Sequence, residues 1–121
     1  MNPVNWFEIP AKDLERAKEF YSAVFGLEMQ FIDMHDSKMY MFHGDPTHQG
    51  SLGCIYTSDQ VEPSANGTTV YFSVEDCDVE ANKAAAAGGT VVLPKMSIGE
   101  FGFIAQVMDT EGNRIGIHSQ K

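Results

Sequence analysis

The chain has 121 residues, of which 43% are hydrophobic and 21% charged, a composition typical of one globular domain that buries a core without disulfides or a structural metal. Its net charge of −9 argues against nucleic acid or an anionic membrane as a partner, because both are recognised through Lys and Arg. Cys54 and Cys77 lack the spacing of a zinc site and are predicted to be reduced, half-buried thiols. The sequence shows neither a basic and apolar leader nor a stretch long enough to span a bilayer, so we expect a cytoplasmic protein.

The first half of the chain predicts the element order β-α-β-β-β. A short apolar strand, 6–10, ends at a proline. A helix follows, with Asp13 as its N-cap and Gly26 as the left-handed residue after its end, because apolar residues recur at helical spacing between them. Three strands are then predicted at 27–33, 38–43 and 51–57, separated by polar turns.

The second half repeats this order at a constant offset of 63 residues. The pairs that define the offset are Asp13 with Asp76, Gly26 with Gly89, and Gly53 with Gly116. The predicted elements are a strand at 69–74, a helix beginning at Asp76, and strands near 90–93, 101–107 and 114–119, with 60–67 as the linker. Two copies are too few for a solenoid. We therefore predict two half-domains, about 2–60 and 66–121, that curl around a shared cavity.

The residues at both ends of the chain resemble one known superfamily. The opening run 7–17, FEIPAKDLERA, with the aromatic pair at 20–21 and FGL at 25–27, is similar to the start of vicinal-oxygen-chelate proteins, the group of glyoxalases, bleomycin-resistance proteins and extradiol dioxygenases. The closing run 109–118, DTEGNRIGIH, resembles their last hairpin. The resemblance covers nearly the whole chain and implies a single α+β domain, 1–121, of two tandem βαβββ modules forming a cleft or incomplete barrel. It does not specify an activity, because this fold carries many.

The resemblance also implies where enzymes of the superfamily hold a divalent metal. One ligand comes from the first strand and one from the last strand of each module, and the matching positions here are Trp6, Gly53, Thr69 and Gly116. None of these has the imidazole or carboxylate that such a metal needs. Glu8 and His118 lie two residues further along, but two donors make a poor site. We therefore predict no bound metal and no other cofactor.

The other histidines lie in predicted turns beside acidic residues. The two groups are Asp33, His35 and Asp36, and His43, Asp45 and His48. A built metal site needs fixed geometry and supporting hydrogen bonds, which turns seldom provide. We expect both groups to be solvated.

Strand alternation predicts which side chains face the cavity. They are Trp6, Glu8, Gly53, Ile55, Thr69, Tyr71, Ser73, Gly116 and His118. The intervening residues Phe7, Ile9, Val70, Phe72 and Val74 are predicted to form the core. An indole and a phenol with a few polar groups favour a flat or apolar small molecule as ligand. The paired glycines are expected to leave space for it.

Two functions are favoured, and a third, a regulatory or purely structural module, also remains open. The first is a metal-free small-molecule-binding protein that holds its ligand through Trp6, Tyr71, Ser73 and their neighbours. The second is a glyoxalase-like lyase or isomerase acting on a small carbonyl compound or a thiol adduct, with Glu8 and His118 as acid and base. The sequence identifies neither the ligand nor whether any reaction is catalysed. Proteins of this superfamily commonly form dimers, and the predicted sheets have exposed edge strands. We therefore expect a homodimer.

Overall fold

The computed structural model describes residues 2–33 and 37–121, in which each half of the chain forms one helix and one four-stranded sheet. The first module consists of β1 (Trp6–Pro10), α1 (Leu14–Phe25), β2 (Met29–Asp33), β3 (Lys38–Phe42) and β4 (Leu52–Thr57). The second consists of β5 (Tyr71–Ser73), α2 (Cys77–Ala86), β6 (Thr90–Ser97), β7 (Phe103–Met108) and β8 (Arg114–Ser119). The strand orders are β1-β4-β3-β2 and β5-β8-β7-β6. The predicted α+β architecture of two βαβββ modules is confirmed, while His35 and Asp36 lie outside the described residues.

Both helices begin at the predicted caps. The Asp13 carboxylate accepts a hydrogen bond from the Arg16 amide, and Asp76 accepts one from the Asp78 amide. Helix α1 ends at Gly26, whose φ of 64° places it in the left-handed region that glycine adopts without strain. No helix of the described ranges is both long and apolar enough to cross a membrane.

The number of residues that separates equivalent positions of the two modules differs between the first strands and the last strands. Phe7 pairs with Gly53 in the first module, whereas Tyr71 pairs with Gly116 in the second. The glycines are 63 residues apart but their partners are 64 apart. The gap-free repeat is therefore wrong at β5, and the counterpart of Trp6 is Val70 rather than Thr69. Thr69 itself precedes β5.

This one-residue difference corrects the predicted faces of the first sheet. Paired residues of neighbouring strands project to the same face, so Gly53 and Ile55 lie with Phe7 and Ile9 rather than with Trp6. Ile55 is fully buried in the core. The prediction that Gly53 and Ile55 share a cavity face with Trp6 is wrong.

In the second sheet the pairing agrees with the predicted faces. Tyr71 is paired with Gly116 and Ser73 with His118, so these four residues share one face. Phe72 is paired with Ile117 on the opposite face, which packs into the core.

The core is continuous between the modules because Phe72 of β5 packs among aromatic residues of the first module. Its ring stacks on Phe25 with centroids 4.3 Å apart and lies 5.8 Å from the ring of Tyr21, 5.6 Å from Phe42 and 5.9 Å from Phe7. Such pairs add to the free energy of burying the rings. The two copies therefore share one hydrophobic core.

The hairpin between β7 and β8 holds the start of α1. Glu111 Oε1 accepts hydrogen bonds from the backbone amides of Lys12 and Asp13 at 2.9 and 2.8 Å. Arg16 Nε donates to Glu111 Oε2 at 2.7 Å, and the Glu111 side chain is 0% exposed. A buried carboxylate of the second module thus satisfies free amide groups at the helix N-terminus, where negative charge is also favoured by the helix dipole.

Two further polar side chains of this hairpin bind the first module. The Tyr21 hydroxyl donates to Asp109 Oδ2 at 2.7 Å, and Asn113 Nδ2 donates to the Pro10 carbonyl at 2.8 Å. Within the described ranges, no buried side-chain nitrogen or oxygen lacks a hydrogen-bond partner. The buried polar side chains where the two modules meet are therefore all hydrogen-bonded.

We predict that Glu111→Gln lowers the free energy of unfolding by about 2 to 4 kcal/mol, because it leaves the Arg16 guanidinium and two amides with weaker or missing acceptors. Burial opposes ionisation of Glu111, but hydrogen bonds from Arg16, the Asp13 amide and Thr110 outweigh it and lower the pKa of the carboxyl. A lowered folded-state pKa stabilises the fold above the unfolded value of about 4.3, and this contribution is lost as the pH falls through the folded value.

Urea denaturation from pH 7 down to pH 3 measures both effects. The matched control is Glu75→Gln, since the ion pair of Glu75 with Lys121 has side chains 85% and 73% exposed and is expected to contribute little. Equal loss of stability in both variants, or an unchanged pH dependence in Glu111→Gln, would contradict the role given to the hairpin.

Candidate ligand-binding site

A cavity of about 570 Å³ lies where the first strands of the two modules meet, a size typical of small-molecule sites, which span about 300 to 1,000 Å³. Its apolar wall includes Trp6, Phe7, Phe42, Leu52, Tyr71 and Phe72. The loop 43–51, with Ser73 from β5, supplies polar groups. The cavity therefore combines a mainly aromatic wall with a polar rim.

Trp6 and Tyr71 both line this cavity and are both partly exposed to solvent. Trp6 is 39% exposed and Tyr71 is 42% exposed. Trp6 Nε1 donates to Glu8 Oε2 at 3.3 Å, which links the edge of the indole to the neighbouring carboxylate. Two partly exposed aromatic rings on adjacent modules are suited to hold a flat molecule.

The loop that joins β3 to β4 forms one wall of the cavity. His43, Asp45 and His48 belong to it, although the sequence predicts only a solvated turn there. His48 Nε2 lies 3.6 Å from Asp45 Oδ2, and hydrogen bonds from the hydroxyl and amide of Thr47 lower the pKa of Asp45. The length of this loop could have indicated its role from the sequence. The equivalent connection between β7 and β8 is only 109–113, and long loops often carry binding residues.

Of the predicted site residues, Trp6, Tyr71 and Ser73 line the cavity. Among the described residues, its wall does not include Gly53, Ile55, Thr69, Gly116, Glu8 or His118. Ile55 belongs to the core instead, and Thr69 is half-buried ahead of β5.

The structure gives Glu8 and His118 different partners. Glu8 accepts from Trp6 and is paired with Cys54 in the first sheet. His118 Nε2 lies 2.6 Å from the carbonyl of Phe101, which precedes β7. Because a carbonyl only accepts, this nitrogen carries the proton and donates. Within the described ranges no hydrogen bond joins the two residues.

The paired glycines do not leave open space. A Cβ at Gly116 would lie 2.3 Å from the Tyr71 ring, and one at Gly53 would lie 2.5 Å from the Phe7 ring. An aromatic side chain of the neighbouring strand thus covers each glycine.

The metal implied by the superfamily does not fit these residues. At the positions that the resemblance assigns to ligands, a side chain at Gly53 or Gly116 would collide with the covering ring, and Trp6 and Thr69 carry no imidazole or carboxylate. No group of three His, Cys, Asp or Glu side chains in the described part of the chain is arranged to hold a metal ion.

Comparison with known proteins agrees with the architecture. Residues 4–44 match the family model for the N-terminal part of bleomycin resistance protein-like proteins. A protein of Mycobacterium tuberculosis named "Putative glyoxylase CFP32" is 32% identical over 112 residues, covering 88% of this chain and 40% of the relative. The chain belongs to the vicinal-oxygen-chelate superfamily. It spans only 40% of the length of that curated relative.

Solved structures of this superfamily share the fold over the whole chain. A glyoxylase/bleomycin resistance protein/dioxygenase domain from Frankia has a TM-score of 0.76 at 16% identity, covering 100% of this chain and 99% of that one. A glyoxalase/bleomycin resistance protein from Albidiferax ferrireducens has a TM-score of 0.74 at 23% identity, covering 96% and 98%. Glyoxalase I from Zea mays has a TM-score of 0.75 at 16% identity, and the match covers 98% of this chain but 46% of the maize protein.

Cys54, paired with Glu8, is predicted to be unreactive in the native protein. Burial, and to a smaller extent the charge of Glu8, raises the pKa of the Cys54 thiol to about 12. Cys77 is also free, and both side chains are fully buried. Because the thiolate is the reactive form, we expect iodoacetamide at pH 8 to modify neither cysteine in folded protein and both in guanidinium. Mass spectrometry counts the adducts, and rapid native labelling of Cys54 would show that its burial is wrong.

Proposed function

We propose that the chain is a metal-independent binding protein for a small, flat, largely apolar molecule. The observation that carries the proposal is the pair of partly exposed rings, Trp6 and Tyr71, on the wall of a cavity of about 570 Å³. Aromatic walls with few polar groups are the usual environment of such ligands. Binding of such a ligand needs no metal ion, because the aromatic residues and a few hydrogen bonds supply the contacts.

Independence from metal is supported by the residues at the positions that the resemblance assigns to metal ligands. Those positions are Trp6, Gly53, Thr69 and Gly116, none of which has an imidazole or carboxylate, and the two glycines are covered by rings. A site of ordinary affinity needs three or more nitrogen, oxygen or sulfur donors held in fixed geometry.

The names of the curated relatives favour the enzymatic alternative. That alternative is a glyoxalase-like lyase or isomerase with Glu8 and His118 exchanging protons with a small carbonyl compound or thiol adduct. General acid–base catalysis needs both groups within hydrogen-bond reach of one substrate. The different partners of Glu8 and His118 give this function less support than binding.

We predict that Trp6→Ala weakens binding of a flat aromatic probe such as 2-acetylnaphthalene by about 1 to 3 kcal/mol, roughly 5- to 150-fold, through loss of ring contact and buried area. Isothermal titration calorimetry measures the dissociation constant. The sole tryptophan also allows wild-type binding to be followed by fluorescence. Binding should be unchanged in EDTA.

Phe101→Ala is the matched control for this experiment. Phe101 is 66% exposed, and its side chain does not line the cavity in the described part of the structure. We expect it to leave the dissociation constant unchanged. Equal effects of the two variants would mean that the probe binds exposed aromatic surface rather than the cavity.

The enzymatic alternative has its own assay. Purified protein is incubated with the glutathione adduct of methylglyoxal, and thioester formation is followed by absorbance. Turnover that EDTA abolishes and nickel or zinc restores would overturn the metal-independent proposal.

We also propose that the chain forms a homodimer. Each sheet has open edge strands, and those at β2 and β6 carry the apolar side chains Phe31, Val92 and Met96, which are 47%, 40% and 45% exposed. Because the net charge is −9, association has to use mostly neutral surface. Light scattering at high micromolar concentration is expected to give twice the chain mass of 13.3 kDa. A strict monomer under these conditions would contradict the proposal.

A further inference from the structure

The outer edge of the first sheet is formed by β2, which pairs with β3 on one side only. The His43 amide donates to the Glu28 carbonyl at 2.9 Å, one position before the first paired residues of the β2–β3 ladder. In an antiparallel ladder, hydrogen-bonded pairs alternate with pairs that are not hydrogen-bonded. The backbone groups of Gln30 and Ile32 therefore point towards β3, in step with those of Glu28.

The alternate residues of β2, which are Met29, Phe31 and Asp33, direct their amides and carbonyls away from the sheet. Phe31 accordingly lies opposite Tyr40 in a pair without hydrogen bonds, where side chains approach closely, and the two ring centroids are 5.3 Å apart. Within 2–33 and 37–121, no backbone hydrogen bond joins the outward groups to another segment. Such a row of free donors and acceptors can be extended by a further strand.

The outer edge of the second sheet, β6, lacks this regular row. Pro94 has no amide hydrogen to donate. The pairing of β6 with β7 also shifts its register twice, between Val91 and Leu93 and between Leu93 and Met96. Register shifts, a proline and a lysine, here Lys95, are features that protect an edge from pairing. Of the two outer edges, β2 is therefore the one open to another strand.

We propose that a second copy of the chain adds to this edge, β2 against β2, antiparallel about a twofold axis at Phe31. The first sheets of the two copies then join into one sheet of eight strands, four from each copy. This inference rests on the proposed homodimer and names its interface. Phe31 lies opposite the partner's Phe31 and Met29 opposite the partner's Asp33, so the outward groups of β2 all form hydrogen bonds.

Charge and exposure at β2 suit a second copy of this acidic chain. Asp33 is the only charged residue of the strand. Because the axis passes through Phe31, the two Asp33 residues are separated by four positions along the strands, about 13 Å, where salt screens most of their repulsion. Phe31 is 47% exposed in a single chain and loses part of this exposure against the partner's ring.

Light scattering and sedimentation equilibrium of charge variants test the interface. Phe31→Lys sets two like charges directly opposite each other at the axis and removes both rings, so we expect the dissociation constant of the dimer to rise about tenfold or more. Met96→Lys is the matched control, because Met96 on the edge strand β6 is 45% exposed. We expect this control to leave the dissociation constant unchanged.

A proline variant tests whether the β2 backbone takes part. Phe31→Pro and Phe31→Ala both remove the ring, but only the proline removes the outward amide. Because this amide does not bond to β3, we expect both variants to fold, which circular dichroism checks. The loss of two hydrogen bonds per dimer should make the dimer of Phe31→Pro at least about fivefold weaker than that of Phe31→Ala.

Disulfide trapping measures the register and does not depend on weakening the dimer. Opposite residues of a hydrogen-bonded pair have Cα atoms about 5.5 Å apart, within disulfide range, so Phe31→Cys should give a covalent dimer on oxidation with copper phenanthroline. Gln30→Cys is the control, since the two copies of position 30 are diagonal neighbours about 7 to 8 Å apart and should cross-link much more slowly. Cys54 and Cys77 are fully buried and do not compete.

The outcomes separate the interface from the homodimer itself. A dimer that Phe31→Lys leaves intact, or that Met96→Lys weakens equally, would retain the homodimer and overturn its assignment to β2. Equal affinities of Phe31→Pro and Phe31→Ala would overturn the pairing of the β2 backbone, and so would faster cross-linking of Gln30→Cys than of Phe31→Cys. A wild-type monomer at high micromolar concentration contradicts the homodimer, and this inference fails with it.

Discussion

The arrangement of the two modules depends on one buried carboxylate. Glu111 of the β7–β8 hairpin accepts two backbone amides and a guanidinium from the start of α1, so the first helix is capped by the second module. A fully buried carboxylate is tolerated only when its oxygens accept hydrogen bonds. Here the residues at the N-terminus of α1 supply the donors. With α1 held in this way, Phe72 can pack on Phe25 and close the core. The relative position of β1 and β5, and hence the cavity between them, follows from that contact.

Both modules pack an aromatic ring over a glycine, but the two rings lie in different surroundings. Each module pairs a glycine of its last strand with an aromatic residue of its first strand, Phe7 over Gly53 and Tyr71 over Gly116. In the first module the ring turns into the core, whereas in the second it stays partly exposed at the cavity.

Much of the local structure could be predicted from single residues. The N-caps Asp13 and Asp76 and the left-handed Gly26 mark helix ends through backbone chemistry that acts within one turn, and all three were located correctly. The strand faces were harder. Phe7, the partner of Gly53, lies six residues before the cap Asp13, whereas Tyr71, the partner of Gly116, lies five residues before the cap Asp76. A one-residue difference of this kind reverses every side chain of a strand. Ile55 was therefore placed at the cavity although it lies in the core.

By itself the sequence determined the order of the elements and the superfamily, since both depend on which residue types occur at fixed spacing. Only the tertiary structure decided which side chains meet. The loop 43–51 reaches the cavity, Glu8 and His118 bind different partners, and Tyr71 is oriented by Gln106 and Arg114. These contacts join residues far apart in the chain, through strand register and helix docking that no local pattern encodes. The physical reason is that strand register is set by pairing between distant residues. Shifting a strand by one residue changes its local interactions little, but it turns every side chain of that strand to the other face of the sheet.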